Sequence, residues 1–174
     1  AKERPGRAAV CYFDHSLSYG EIDRLSSHLS AAFADMGLGR GDRIIVDLQN
    51  VPQFPVAVYA AWKAGAIVVL VNPMYKEKEL SNLCRDSGAR LFLTLDEIAC
   101  RLDLSFLKET SIEKVVTTSA LDLLPLEAEI PELLKGVRRT SVPGVVDMLE
   151  VILAFDGKRA DDPKITAGDV AYLT

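Results

Sequence analysis

Apolar residues along this chain recur in two rhythms. Ile22, Leu25, Leu29, Ala32, Phe33 and Met36 are spaced three or four apart, which places them on one face of an α-helix. Asp23, Arg24, Ser27 and Asp35 fall off that stripe. Ser18 and Glu21 stand ahead of it in capping-box spacing, in which each side chain satisfies a free backbone amide of the other, with Leu17 and Ile22 flanking the box as a staple and Gly37 as the stop. The second rhythm is the short continuous run. RIIVDL from Arg43, AIVVLV from Ala66, ARLFLTL from Ala89 and IEKVVTT from Ile112 are rich in β-branched residues and largely apolar on both faces, as strands covered from two sides must be.

Helical stretches separate these strands. VPQFPVAVYAAWKAG predicts a helix ending at Gly65, with Pro52 in its first turn and Pro55 leaving the start open by a few residues. Phe54, Ala57, Val58, Ala61 and Trp62 leave it little polar surface, so it should be buried on two sides, with Trp62 read as a core side chain over a pocket wall. Leu80, Leu83 and Cys84 face inward on a helix that stops at Gly88, and Ile98, Leu102 and Leu107 do so over a helix from Asp96 to Lys108. The order from Asp42 onward is β, α, β, α, β, α, β. It predicts an α/β domain with a mainly parallel sheet, helices on both faces and right-handed crossovers. AIVVLV is expected at the middle of that sheet. Asn72-Pro73 ends it because proline donates nothing to a ladder and biases the preceding residue away from helix; stop and turn is the preferred reading of this pair over ligand contact.

At the amino end, AAVCYF from Ala8 and LSYGEI from Leu17 predict a small hairpin turning at Asp14-His15-Ser16. The last third is less regular. PELLKG suggests a helical turn, VPGVVDMLEVILAFDG is compatible with helix or strand, GKRADDPKITAGD reads as loop, and VAYLT begins a new element.

Composition narrows the function. The 174 residues are 49% hydrophobic and 26% charged, ordinary values for one globular domain. A net charge of -5 argues against nucleic-acid binding, and the short basic group Lys135, Arg138 and Arg139 lacks interleaved aromatics. Cys11, Cys84 and Cys100 are odd in number and share no CxxC spacing, which points to reduced thiols and a cytoplasmic setting rather than a disulfide framework or thiolate metal site. No apolar run reaches the roughly 18 residues that span a bilayer. The chain opens at Ala1, not at methionine, and closes inside an apolar run, as expected of a piece cut from a longer protein.

Candidate chemistry is thin. Gly37, Gly39 and Gly41 imitate a dinucleotide fingerprint, but here the order is helix, glycines, strand, whereas phosphate binding needs the glycines ahead of a helix. His15 sits in a turn, and His28 has no second ligand three or four residues away. Ser105 and Lys108 have SxxK spacing without the partner motifs that would activate a nucleophile. Glu77 and Glu79 suit a helix start, and Asp161-Asp162 a solvated loop. The residues themselves therefore assign no catalytic, cofactor-binding or metal-binding position.

Three segments carry a resemblance. LSYGEIDRLSSHLSAAFADMGLGRGDRI, WKAGAIVVLVNP and the terminal DVAYLT occur in the order and spacing of the amino-terminal part of adenylate-forming (AMP-binding) enzymes, which include acyl-CoA synthetases. Asn72-Pro73-Met74-Tyr75, Glu79-Leu80 and Asp86-Ser87-Gly88-Ala89 most resemble bacterial fatty-acyl-CoA ligases, ahead of aryl-CoA ligases, luciferase-like enzymes and fatty-acyl-AMP ligases. The likeness is strong to about Leu95 and weak from Asp96 to Ala167.

The resemblance implies that residues 1–174 are the first subdomain of a larger amino-terminal domain. It further implies a parent enzyme that activates a fatty acid with ATP and Mg²⁺ through an acyl-adenylate and passes the acyl group to CoA. The family's phosphate loop would begin just after Thr174, so none of its functional residues maps onto this chain. The 174-residue chain is accordingly expected to be inactive, to bind none of these cofactors tightly, and to self-associate, as a homodimer for example, through a face its parent covers. The substrate class implies transient membrane contact, although no basic amphipathic helix supports it. The rivals are a complete, non-enzymatic α/β interaction module and a Rossmann-type oxidoreductase, the latter disfavoured by the glycine order.

Overall fold

A computed structural model describes residues 2–125 and 127–174. Strands β1 (Ala8–Tyr12) and β2 (His15–Ser18) form the expected antiparallel hairpin, but it turns at Phe13-Asp14, and His15 and Ser16 lie in β2, paired with Tyr12 and Cys11, rather than in the turn. Helix α1 (Tyr19–Asp35) follows under the predicted box: Ser18 Oγ accepts the Glu21 amide at 3.2 Å and Glu21 Oε2 accepts the Ser18 amide at 2.7 Å. Gly37 stops it with φ at 86°.

The remaining strands are β3 (Arg43–Asp47), β4 (Ile67–Leu70), β5 (Leu91–Leu95), β6 (Lys114–Thr118), β7 (Val146–Asp147) and β8 (Tyr172–Leu173). They make one six-stranded sheet in the order β7-β6-β5-β3-β4-β8, parallel at every pairing. Strand β4 is thus next to the edge rather than in the middle, which β5 and β3 occupy; Ile67 and Leu70 are accordingly only half-buried. Helix α2 (Gln53–Lys63) begins after Pro52. Pro55 is then its third residue, inside the first turn, where an N–H would have no intrahelical acceptor, so both prolines fit without a kink.

Helices α1, α2 and α5 (Met148–Ala154) cover one face of the sheet around Ile44, Val46, Val68 and Leu93. Helix α3 (Glu77–Ser87) and a 3-10 segment, Leu104–Glu109, cover the other around Ile45, Val69 and Phe92. Only Asp96–Ala99 of the expected helix from Asp96 to Lys108 forms, as α4. The break lies at Asp103, whose amide donates to Glu77 Oε1 on α3 at 2.9 Å and whose carboxylate accepts the Ser105 amide at 3.0 Å. Ile98 and Leu102 therefore pack on one face of the sheet and Leu107 on the other, which a single helical stripe could not do.

Helix α1 also departs from a one-sided stripe, because Ser26, Ser27, His28 and Ser30 are buried. The chain after α5 lies over them: the Gly157 amide donates to His28 Nε2 at 3.1 Å and the Ala160 amide to Ser30 Oγ at 3.3 Å. The three serine hydroxyls are satisfied by carbonyls within the helix, so their burial leaves no orphaned donor. Lys63, at the end of α2, ties the helix pair from the side, its ammonium donating to Asp23 Oδ1 at 2.7 Å, to the Asp23 carbonyl at 2.7 Å, and to Ser26 and Ser27 Oγ at 2.8 and 2.9 Å. Lys63→Met keeps the stem and removes these bonds. Since charge-assisted bonds at a partly exposed site are individually modest, the variant should lose about 1–2 kcal/mol in urea unfolding. A loss below about 0.3 kcal/mol would mean that the tie contributes nothing.

Candidate functional site at the carboxyl edge of the sheet

The chain leaves β3 towards β4, crosses by α2 on one face, and then returns past β3 to β5 by α3 on the other. The strand order thus reverses between β3 and β5, and at such a point an open α/β sheet presents a crevice at the strands' carboxyl ends. Polar side chains gather there. Asp47 closes β3 opposite Thr94 of β5, and the Thr94 hydroxyl donates to Asp47 Oδ2 at 2.9 Å. The Asp47 residue is 1% exposed, and its Oδ1 has no partner among the described residues. Burial pushes its carboxyl up to about 6, against the opposing effect of the Thr94 bond. The thiol of Cys84 is pushed to about 11 by burial and by the charge of Asp47.

Two further carboxylates complete the edge. Asp96 is buried and accepts the amides of Glu97 and Thr140, each at 2.8 Å. Asp122 Oδ2 accepts the Thr118 hydroxyl and the Ser119 amide, each at 2.9 Å, while its Oδ1 lies 3.5 Å from Arg139, which also pairs with Asp147. Desolvation nonetheless raises the Asp122 carboxyl above its usual range. Gln53, at the start of α2, donates from Nε2 to the carbonyls of Ser119 and Asp122, both at 2.7 Å, and its buried Oε1 is unpartnered among the described residues. An open hollow of about 700 Å³ lies between the segments that follow β4 and β5. The turn from Pro73 to Lys78 walls it on one side, with Met74 85% exposed, and Ile98, Arg101 and Leu102 wall the other.

Most residues singled out in the sequence serve the fold. Asn72 Oδ1 accepts the Met74 amide at 3.0 Å, making the expected stop and turn. Glu79 caps Lys76, and Glu77 holds Asp103. Trp62 is half-buried rather than part of the core: its indole N–H donates to the Ala171 carbonyl at 3.1 Å, and the ring lines two surface hollows. Arg139 belongs to the carboxyl edge, not to a free basic patch. The sequence reading missed Asp47, Thr94, Asp96, Gln53 and Asp122. For Asp47, Thr94 and Asp96 the available signal was a polar residue at or just past the end of an apolar strand run, as in RIIVD and LFLTLD; Gln53, at the start of α2, and Asp122, four residues past β6, carried no such signal.

Nucleotide and metal binding can be tested against this geometry. The amide of each glycine in the turn is taken: Gly37 donates to Ala34, Gly39 to Asp42 Oδ2 and Gly41 to Gly65. The turn also lies at the amino end of β3. Asp96 and Asp122 spend their oxygens on amides, a hydroxyl and Arg139, and Asp47 is buried with one oxygen taken by the Thr94 hydroxyl. Among the described residues no three His, Cys, Asp or Glu side chains converge on a possible metal position. These residues do not fit a nucleotide–magnesium complex.

Comparison with known proteins places this architecture. The family model described as AMP-binding enzyme matches residues 1–174. A long-chain-fatty-acid–CoA ligase of Haemophilus influenzae is 27% identical over 99% of this chain and 32% of its own length. One of Bacillus subtilis is 31% identical over 72% of this chain and 22% of its own. The chain therefore spans about a third or less of these relatives. A benzoate CoA ligase of Burkholderia xenovorans superposes with a TM-score of 0.74 at 18% identity, covering 97% of this chain and 29% of that one; at that identity the likeness is one of fold.

Proposed function

From membership of the AMP-binding enzyme family, to which this chain belongs across residues 1–174, we propose that it is the opening subdomain of a fatty-acid:CoA ligase. Such an enzyme joins a carboxylate to ATP, releases pyrophosphate, and transfers the acyl group from the adenylate to CoA, with Mg²⁺ balancing phosphate charge. The observation that carries the fatty-acid reading is the match, over 99% of the chain, to a long-chain-fatty-acid ligase. The run Asn72-Pro73-Met74-Tyr75 agrees with it.

Within this reading the chain is scaffold. Its carboxylates at the sheet edge hold backbone amides and Arg139, and its glycine turn braces β3. The 174-residue chain alone is expected to give no ATP–pyrophosphate exchange above background with a fatty acid present, whereas the full-length protein exchanges. Exchange by the isolated chain would overturn the scaffold role. Dependence of the full-length enzyme on benzoate rather than a fatty acid would move it to the aryl ligases, and an adenylate that never passes to CoA would move it to the fatty-acyl-AMP ligases.

Self-association and transient membrane contact belong to the same reading. Their support is the substrate class and exposed apolar side chains such as Met74, Leu133 and Leu153. No helix among the described residues is long and apolar enough to cross a membrane.

A further inference from the structure

The three segments that carry the family resemblance meet at one corner of the molecule, at the amino ends of β4 and β8. Arg40, from the glycine turn, grips Asp169 with a two-toothed contact, Nη2 lying 2.9 Å from Oδ1 and 3.0 Å from Oδ2. Asp169 is itself fixed by the Thr166 amide at 2.6 Å and hydroxyl at 2.9 Å. Trp62 bonds the Ala171 carbonyl, which also accepts the Val68 amide at 3.1 Å, and its ring meets Tyr172 edge-on at 5.1 Å. Gly65 lets Pro163 approach so closely that a Cβ there would lie 2.7 Å from the proline Cβ.

Residues 155–171 hold neither helix nor strand, and β8 pairs with β4 at only two positions, Val68 with Tyr172 and Val69 with Leu173. A two-residue edge strand at the end of so long a loop has too few ladder bonds to fix its own register. Side chains must do it.

We propose that Arg40, Trp62 and Asp169 are positioning residues that clamp β8 in register against β4, and so fix where the chain after Leu173 meets the carboxyl edge of the sheet. This rests on the functional reading above, in which the phosphate-binding loop follows Thr174. The same arrangement accounts for the spacing of the motifs, since a turn, a helix end and a strand distant in sequence must converge for the clamp to close. Asp169, held at about 2 by the Thr166 amide and then by Arg40, stays charged at any working pH, so the grip does not titrate.

Hydrogen exchange on the 174-residue chain reads the clamp without any ligand. Arg40→Ala and Asp169→Asn should each speed exchange of the Val68 amide and the Trp62 indole N–H about tenfold, since a charge-assisted, two-toothed contact is lost. Amides in β3 and β5 should not change. Arg40→Lys keeps the charge without the fork and should fall between. In the full-length protein the same variants should raise KM for ATP in pyrophosphate exchange, with Tm held within about 2 °C. Should Arg40→Ala fail to fold, Trp62→Phe removes the indole N–H and part of the ring while leaving the Arg40–Asp169 contact intact, and the Val68 amide asks the same question. Unchanged exchange at Val68 with unchanged KM in these variants overturns the clamp. A wild-type protein with no carboxylate-dependent exchange defeats the functional reading instead, and the hydrogen-exchange arm then decides the clamp alone.

Discussion

Gly65→Ala is expected to lower the stability of this chain by about 3 kcal/mol, the sum of a backbone penalty and a steric one. The backbone at Gly65 has φ at 84°, a conformation in which an L side chain crowds its own carbonyl at a cost of about 1–2 kcal/mol. The added methyl would also stand 2.7 Å from Pro163 Cβ and 3.0 Å from Arg40 Cα. Neither neighbour is the free end of a flexible chain, so relief requires the loop carrying Pro163 or the glycine turn to move. Gly41→Ala supplies the control. Its φ is also 84°, yet nothing lies within 4 Å of the place its methyl would take, so it should cost only the backbone share of about 1–2 kcal/mol. The two losses, measured by urea unfolding, should differ by more than about 1 kcal/mol. Equal losses would show that Pro163 does not press on this corner.

That corner also shows what the sequence could and could not reveal. Gly65 was legible as a helix stop, and the strand after it as buried, because turn chemistry and apolar runs are local signals. The contact with Pro163 was not, since it joins residues nearly a hundred apart through a loop with no periodicity. The hairpin, α1 with its capping box, and β3 to β6 all follow from local pattern. The failures share a physical origin. Helix α4 stops because Glu77 on a neighbouring helix takes the Asp103 amide, and the serine face of α1 is buried because the loop after α5 lies on it. Strand order is equally non-local: AIVVLV has the composition of a central strand, but only the path of the chain places it beside the edge. The carboxylates at the sheet edge escaped notice for a different reason. A single aspartate ending an apolar run looks like an ordinary strand stop until its burial and its partners are known.

Asp47 is where that distinction has the largest measurable consequence. In the unfolded chain its carboxyl titrates near the ordinary aspartate value of 3.8, and in the fold near about 6. A value raised by folding stabilises the chain below the lower of the two and is lost as pH rises through the upper. Between them the unfolded chain has released a proton that the folded chain keeps, so each unit of pH costs about 1.4 kcal/mol. The shift amounts to about 3 kcal/mol withdrawn by pH 7. Asp47→Asn removes the charge while retaining an acceptor for the Thr94 hydroxyl. The variant should therefore be more stable than wild type by up to about 3 kcal/mol at pH 8, with the gain shrinking towards zero at pH 4. Paired urea unfolding curves at the two pH values decide it. A difference independent of pH would mean that Asp47 is ionised in the fold with a partner for Oδ1. The acids with lowered values, Asp23 with Lys63 and Glu113 with Arg90, work in the opposite sense, losing stability as pH falls, but they are common to both proteins and cancel in the difference. A buried carboxyl at the point where strand order reverses thus weakens the fold at neutral pH. The pH-dependent gain of Asp47→Asn would measure how much stability the fold gives up there.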